Sequence, residues 1–113
     1  MNVCIVGDGL VSLALAKTLV NKGIYVDIFL NQKLNKLDKS RTLGISKANV
    51  DFFEKNILSI KKLLWDINKI EIYSNNLKNE KLLNFENDNK QIFAIIKNYD
   101  LYDYLIKSLN KSK

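Results

Sequence analysis

The sequence predicts an α/β fold that begins with a βαβ unit and continues with further helices and strands. Two short apolar runs, at 3–6 and 24–30, flank a segment whose apolar residues recur at helical spacing. The first run leads directly into Gly7 and Gly9, and Gly23 separates the helical segment from the second run. Strand, glycine turn, helix and strand in this order form the unit that cradles a dinucleotide. The expected architecture is therefore Rossmann-like.

The predicted βαβ core covers residues 2–31 of the chain. Its first strand, 3–6, is a continuous apolar run, which is typical of a central parallel strand buried on both faces, and Cys4 is expected to be a buried structural thiol. A helix is predicted over 10–22, with Gly23 in the left-handed position that ends it. The second strand is predicted over 25–30. The helix is expected to bury Leu13, Ala16, Leu19 and Val20 and to expose Lys17, Asn21 and Lys22.

The rest of the chain, 32–113, is predicted to belong to the same partial domain. The lysine-rich segment 31–43 lacks periodicity and predicts a loop. Ser46 is placed to cap a helix over 47–55 that buries Val50, Phe53 and Ala48. A second short helix is predicted over 57–64. Strands are expected at about 67–74, 81–85 and 91–96, with turns at 75–76 and 87–89, and a last helix over 99–109 is capped by Asn98.

Composition excludes several classes of function. The 113 residues include one cysteine and no histidine, so the chain has no material for an internal disulfide, a zinc site or a Ser-His-Asp triad. The net charge of +6 comes almost wholly from scattered lysines, and Arg41 is the only arginine, which argues against nucleic-acid binding. No apolar stretch reaches the ~20 residues of a transmembrane helix. We expect a cytoplasmic protein, with peripheral membrane association left open.

The glycine turn is the candidate binding site. In a dinucleotide fold Gly7 would make the tight turn and Gly9 would let the backbone N–H groups at the start of the helix, at Leu10 and Val11, approach a pyrophosphate. Ser12 stands where a third glycine or alanine belongs, and its side chain predicts an overpacking cost of about 1–3 kcal/mol. Asp8 adds a negative charge beside the proposed phosphate. In such folds an acidic residue at the end of the second strand usually binds the ribose hydroxyls, and Asn31 stands at that position here.

Three segments in register resemble flavin-dependent aromatic hydroxylases, specifically the branch of ubiquinone-biosynthesis hydroxylases. Cys4 to Ala16 resembles the opening strand, Gly-x-Gly-Leu-Val-Gly turn and alanine/leucine helix of that branch. Residues 38–46, Asp-Lys-Ser-Arg-Thr-Leu-Gly-Ile-Ser, resemble its Arg-Thr/Ala-x-Ala-Leu-Ser segment. Residues 98–101, Asn-Tyr-Asp-Leu, stand at the place of its Asn-Arg-Asp-Leu. The resemblance covers nearly the whole chain.

The resemblance implies an FAD-binding fold whose flavin activates dioxygen for aromatic hydroxylation, with NAD(P)H as electron donor. By it, Gly7, Gly9 and Ser12 would face the FAD pyrophosphate, Asn31 the adenosine ribose, and Arg41 the FAD near the flavin. A guanidinium suits a bidentate grip on anionic oxygens. The start of the last helix would support the cofactor. Tyr99, Tyr102 and Tyr104 are expected to pack along that helix rather than to stack on a flavin.

The chain departs from the family at Ser12, Asn31 and Tyr99, which replace glycine, glutamate and arginine. The family also needs a few hundred residues more. Two interpretations therefore stay open: an incomplete N-terminal FAD-binding segment of such a hydroxylase, or a non-catalytic nucleotide-binding remnant or small module. No catalytic residue or metal ligand is assigned. Because the strands of 67–96 would leave unpaired edges, we expect self-association or a complementing C-terminal fragment.

Overall fold

A computed structural model describes residues 1–30, 38–75, 81–86 and 91–111. Within these ranges the chain forms a mixed α/β fold, as the sequence predicts. A 3₁₀ turn, Lys61–Leu63, directly precedes the strand Leu64–Ile67. The strands and helices are β1 (Asn2–Val6), α1 (Leu10–Asn21), β2 (Tyr25–Phe29), β3 (Thr42–Ser46), α2 (Lys47–Asn56), β4 (Leu64–Ile67), β5 (Lys69–Tyr73), β6 (Lys81–Glu86), β7 (Phe93–Lys97) and α3 (Asn98–Lys111).

The N-terminal βαβ unit forms as predicted. β1 and β2 pair in parallel, with Val3 opposite Val26 and Ile5 opposite Ile28. Helix α1 connects them and buries Leu13 and Ala16 completely. Gly23 has a φ of +76°, the left-handed conformation that ends α1 and that a side chain disfavours.

A second sheet is antiparallel, with the strand order β3-β7-β4. Leu43 pairs with Ile96, which in turn pairs with Leu64. The predicted loop over 31–43 is therefore wrong at Thr42 and Leu43, where β3 begins, and its first seven residues lie outside the described part. β3 has only five residues and contains Gly44. It forms a strand because it pairs with β7, which lies far along the chain, and the sequence pattern does not show that pairing.

The predicted helix over 57–64 is wrong. Ile57 and Ile60 are both buried at helical spacing, but they lie in an irregular connection into the core. The Glu54 carboxylate accepts hydrogen bonds from the Ile60 N–H at 2.9 Å and the Ser59 hydroxyl at 3.2 Å, which fixes that connection without a helix. The predicted strand over 67–74 is also divided, because β4 ends at Ile67 and β5 starts at Lys69.

Strands β5 and β6 form an antiparallel hairpin that is a separate two-stranded sheet. Ile70 pairs with Phe85 and Glu71 with Asn84. The strands predicted at 81–85 and 91–96 are observed as β6 and β7. The predicted turn at 75–76 lies in part, and that at 87–89 wholly, outside the described residues. Every residue of β6 is exposed.

The core lies between α1, α3 and the inner face of the β3-β7-β4 sheet. The helix predicted over 99–109 is observed as α3, with Asn98 as its first residue. Ser46 caps α2 as predicted, since its hydroxyl accepts a hydrogen bond from the Asn49 N–H at 3.2 Å. The buried cluster consists of Leu13, Ile57, Ile60, Ile96, Leu101, Tyr102 and Leu105.

Three burial predictions are wrong. Cys4 is exposed instead of buried, and Val6 at the end of the same strand is 81% exposed. The physical reason is that α1 covers one face of the β1-β2 sheet, and no described element covers the other. Ala48 is exposed, because α2 packs through Val50 and Phe53, and Lys17, expected to face water, is half-buried. None of the helices in the described ranges is both long and apolar enough to cross a membrane.

Candidate functional site

The turn between β1 and α1 has a geometry that requires glycine at position 7. Gly7 has a φ of +142°, in the region that L side chains rarely adopt. Its N–H donates to the Phe29 carbonyl at 3.1 Å, which ties the turn to the end of β2. A Cβ on Gly7 would also lie 2.8 Å from the Ser12 Oγ. The backbone conformation therefore disfavours a side chain here, and a Cβ would in addition require the Ser12 side chain to move.

Gly9 leaves the N-terminus of α1 open. It is the N-cap residue, with φ −79° and ψ 170°, and no side chain caps the helix. A Cβ on Gly9 would meet no atom within 4 Å. The first turn of α1 carries no acidic residue, and Val11 is 84% exposed. The N–H groups at Leu10, Val11 and Ser12 are thus placed where the helix dipole favours an anion.

Ser12 fits beside the turn because Gly7 lacks a side chain. The Ser12 Oγ lies next to Gly7, and the helix still packs through the fully buried Leu13 and Ala16. The crowding predicted for Ser12 is therefore taken up by the space over Gly7. A hydroxyl at this place adds a hydrogen-bond donor to the turn.

Asp8 is exposed between the two glycines. Its carboxylate acts on Tyr102 of α3, whose pKa is raised, first by burial of the phenol and then by the Asp8 charge. The sequence gives no signal for this relationship, because the two residues lie near opposite ends of the chain. Tyr102 is buried in the core cluster, so the last helix packs close to the glycine turn.

Arg41 lies immediately before β3, and it is exposed. Its N–H donates to the Asp38 carbonyl at 3.4 Å. The Asp38 carboxylate accepts from the Ser40 hydroxyl at 2.6 Å and from the Ser40 N–H at 2.9 Å. These bonds lower the pKa of Asp38, with a smaller contribution from the Arg41 charge. The backbone that carries Arg41 is thus held in a defined turn while the guanidinium stays accessible.

The structure brings together the second and third segments of the sequence resemblance, 38–46 and 98–101. The Asn98 N–H donates to the Arg41 carbonyl at 3.0 Å, directly after the Thr42–Lys97 pair of the sheet. The Lys39 ammonium lies over the Tyr99 ring, 5.0 Å from its centroid. Arg41 and the start of α3 therefore form one local unit.

Of the predicted site residues, Gly7, Gly9, Leu10, Val11 and Ser12 lie together in one turn. Arg41 lies directly before β3 of the second sheet, and no hydrogen bond or ion pair in the described ranges links it to that turn. Asn31 lies outside the described residues. Tyr102 is buried and Tyr99 and Tyr104 are half-buried, each of the latter under a lysine, so all three pack along α3 as predicted. The described residues contain no group of potential metal ligands.

Solved structures share this fold. A 2,6-dihydroxypyridine-3-hydroxylase from Arthrobacter nicotinovorans matches with a TM-score of 0.68 and 13% identity, over 95% of this chain and 26% of the other. HpxO from Klebsiella pneumoniae, solved with FAD and uric acid, matches with a TM-score of 0.76 and 13% identity, over 99% and 30%. PqsL from P. aeruginosa, solved with 2-aminobenzoylacetate, matches with a TM-score of 0.78 and 16% identity, over 99% and 31%.

At these identities the likeness shows the fold. The chain spans less than a third of the length of each of these three structures. No known family profile and no curated protein sequence matches the chain.

Proposed function

We propose that this chain binds FAD through its β1-α1-β2 unit and is the N-terminal part of a flavin-dependent aromatic hydroxylase. The observation that carries the proposal is the glycine turn: Gly7 in a conformation reserved for glycine, and Gly9 open in front of an uncapped helix N-terminus. That arrangement suits a diphosphate. The shared fold with HpxO, whose structure holds FAD, supports the choice of ligand.

The residues of the turn fit the pyrophosphate of FAD. The N–H groups of Leu10, Val11 and Ser12 lie at the N-terminus of α1, which is the positive end of the helix dipole. Because Gly9 has no side chain, phosphate oxygens can come close to them. The carboxylate of Asp8 opposes the binding of an anion, but Asp8 is exposed, so water and salt screen its charge.

Two residues outside the turn complete the proposed FAD site. Asn31 would bond a ribose hydroxyl through its side-chain amide, more weakly than a carboxylate does. Arg41 would bind the FAD on the flavin side. The Asp38–Ser40 hydrogen bonds and the bond from the Asn98 N–H to the Arg41 carbonyl fix the backbone that positions Arg41 for that role.

A bound flavin would supply the chemistry: two electrons from NAD(P)H and one dioxygen place one oxygen atom on an aromatic ring and release the other as water. This chain's own residues bind and orient the cofactor. We assign the aromatic substrate to the ubiquinone-biosynthesis type, on the resemblance of the Arg41 and Asn98 segments. Since the chain spans 26–31% of the matched structures, the rest of the catalytic machinery would come from polypeptide beyond it.

The glycine turn also suits a second function, a non-catalytic nucleotide-binding module, because the turn itself needs only a diphosphate in its ligand. Both functions predict binding at the glycine turn, but only the first predicts a preference for the flavin end of FAD. ADP and FAD would bind the module equally, because both present the same diphosphate and adenosine.

The test is a titration of the purified chain with FAD, followed by quenching of flavin fluorescence, with ADP and riboflavin as competitors. We expect an FAD Kd of about 10 µM or tighter, weaker competition by ADP, and none by riboflavin, which lacks the diphosphate. Equal affinity for ADP and FAD would favour the binding module. Absence of FAD and ADP binding at about 50 µM would contradict both functions.

A further inference from the structure

Two cationic residues lie next to the start of α3. Lys39 and Arg41 flank Ser40, and both are exposed. The Lys39 ammonium lies over the Tyr99 ring, 5.0 Å from its centroid, which is within the range of a cation–π contact. The Asn98 N–H donates to the Arg41 carbonyl at 3.0 Å, so the backbone of Arg41 is joined to the same helix end. We call Lys39, Arg41 and Tyr99 the basic junction.

In the described ranges no carboxylate forms an ion pair with either cation of the basic junction, whereas Lys47 and Lys69 are each paired with an acidic residue. The nearby Asp38 carboxylate accepts hydrogen bonds from the Ser40 hydroxyl and N–H. Those bonds are the main cause of its lowered pKa, to which the charge of Arg41 contributes least. The two cations are therefore available to an anion from outside the chain.

The position of Lys39 makes up for a difference from the family that the sequence resembles. Tyr99 stands where that family carries an arginine, so this chain has a neutral residue there. The ammonium of Lys39 lies on the ring of Tyr99 itself. A positive charge therefore stands at the same place, although it comes from the segment before β3. The ring orients the charge and does not carry it.

Helix α3 connects the basic junction with the glycine turn. Tyr99 and Tyr102 are three residues apart, which makes them neighbours on the helix surface. Tyr102 lies near the turn, since burial raises its pKa and the charge of Asp8 raises it further. An extended ligand whose phosphate lies at the glycine turn would therefore meet Lys39 and Arg41 along the start of α3.

We propose that Lys39, held over the Tyr99 ring, supplies the cation that this chain lacks at position 99, and that it binds the diphosphate of FAD together with Arg41. The proposal rests on the proposed function, because it takes FAD as the ligand. An ammonium group has three N–H donors, so Lys39 can contact the ring and a phosphate oxygen at the same time. Lysine binds phosphate as a point charge, whereas Arg41 can bind two oxygens.

The test compares the FAD affinities of variants of the purified chain, measured by quenching of flavin fluorescence. Lys39→Ala should weaken FAD binding about tenfold, because one charge-assisted contact to phosphate is lost. Lys62→Ala is the matched control, since the Lys62 ammonium lies over the Tyr104 ring of the same helix, 4.4 Å from its centroid, outside the basic junction. Both variants remove one positive charge and one cation–π contact, but the affinity of Lys62→Ala should not change.

Substitutions at Tyr99 test whether the cation can be moved between the two positions. Tyr99→Arg in the Lys39→Ala background should restore most of the lost affinity, because the guanidinium returns a positive charge to the start of α3. Tyr99→Ala should weaken FAD binding about threefold by releasing Lys39, and Tyr99→Phe, which keeps the ring, should restore it. Between about 20 and 200 mM salt, the affinity of the unchanged chain should fall more steeply than that of Lys39→Ala.

The outcomes separate this proposal from the proposed function. Unchanged FAD affinity in Lys39→Ala would overturn the proposal and leave FAD binding at the glycine turn intact. A loss that Lys62→Ala matches would also overturn it, since the effect would then follow net charge alone. The same holds if Tyr99→Arg fails to rescue Lys39→Ala while circular dichroism shows the double variant folded. Absence of FAD binding by the unchanged chain would contradict the proposed function, and this proposal with it.

Discussion

The Ser12 hydroxyl oxygen lies 2.8 Å from the position that a Cβ on Gly7 would occupy. The two residues therefore share one space at the point where β1 passes into α1. A serine is tolerated in the helix because the turn residue has no side chain. The φ of +142° at Gly7 imposes the same restriction from the backbone.

Gly7→Ala should destabilise the protein and abolish FAD binding. The methyl group meets Ser12, and the backbone must leave its left-handed conformation, for a combined loss of about 2–4 kcal/mol in the free energy of unfolding. Urea unfolding followed by circular dichroism measures the first effect, and flavin fluorescence the second. A Gly7→Ala protein of unchanged stability would show that the turn adopts another conformation.

Gly9→Ala is the matched control for the turn. Its Cβ enters open space and its φ of −79° suits alanine, so the loss of stability should stay below about 1 kcal/mol, from the poorer N-cap alone. FAD affinity should still fall about tenfold, because the methyl group stands where phosphate would approach the helix. Unchanged FAD affinity in Gly9→Ala would place the ligand elsewhere.

The sequence predicts the βαβ unit well because its signals are local. Apolar spacing, Gly7, Gly9 and Gly23 all lie within the elements that they define. Strand β3 was not predicted, because it depends on pairing with β7 far along the chain. The spacing of Ile57 and Ile60 imitates a helix, yet both side chains are buried from an irregular connection held by Glu54.

Part of the candidate site could likewise be predicted from local sequence signals, and part could not. The turn could be predicted from its glycines, and the joining of Arg41 to Asn98 agrees with their shared place in the resemblance. The effect of Asp8 on Tyr102 could not be predicted, since it arises from the packing of α3 near the turn. The exposure of Cys4 could not be predicted for a related reason: an apolar run indicates a buried strand but does not say whether the described part of the chain covers both of its faces.

Leu13→Ala should cost about 2–5 kcal/mol in the free energy of unfolding, because Leu13 is fully buried in the core cluster. Leu15→Ala, in the same helix, is the control: Leu15 is 48% exposed, and its loss should cost less than about 1 kcal/mol. Urea denaturation of both variants gives the comparison. Equal losses would mean that α1 packs through a different face.

Asn21→Ala should weaken the contact between the ends of α1 and α2. The Asn21 Nδ2 donates to the carbonyls of Ile57 at 2.7 Å and Asn56 at 3.2 Å, which the helix end leaves without intrahelical partners. The loss should be about 1 kcal/mol in thermal or urea unfolding. Asn56→Ala, which removes only an exposed bond to the Phe52 carbonyl at 3.1 Å, should cost less, and the reverse order would contradict this role of Asn21.

Glu71 should make the stability of the β5-β6 hairpin depend on pH. Its carboxylate accepts from Lys69 Nζ at 2.7 Å, from the Tyr73 hydroxyl and from Lys81 Nζ at 3.2 Å, and these bonds lower the pKa of Glu71 from 4.5 to about 2. A carboxyl group whose pKa is lower in the folded than in the unfolded state makes its full contribution to the stability of the fold when the pH is above the unfolded-state pKa. We therefore expect the contribution of Glu71 to be complete above pH 4.5 and to be lost as the pH falls to about 2.

Amide exchange in β5 and β6, followed by NMR between these pH values, measures this loss, and the carboxyl carbon shift of Glu71 gives its pKa. Glu71→Gln should speed exchange at neutral pH and remove its dependence on pH in that window. Asp51→Asn is the control, because the Lys47–Asp51 pair at 3.1 Å is exposed on α2, away from the hairpin, and such surface pairs contribute little. A Glu71 that titrates near 4.5 would mean that the two lysines and Tyr73 do not hold it in solution, and the hairpin would then rest on its backbone ladder alone.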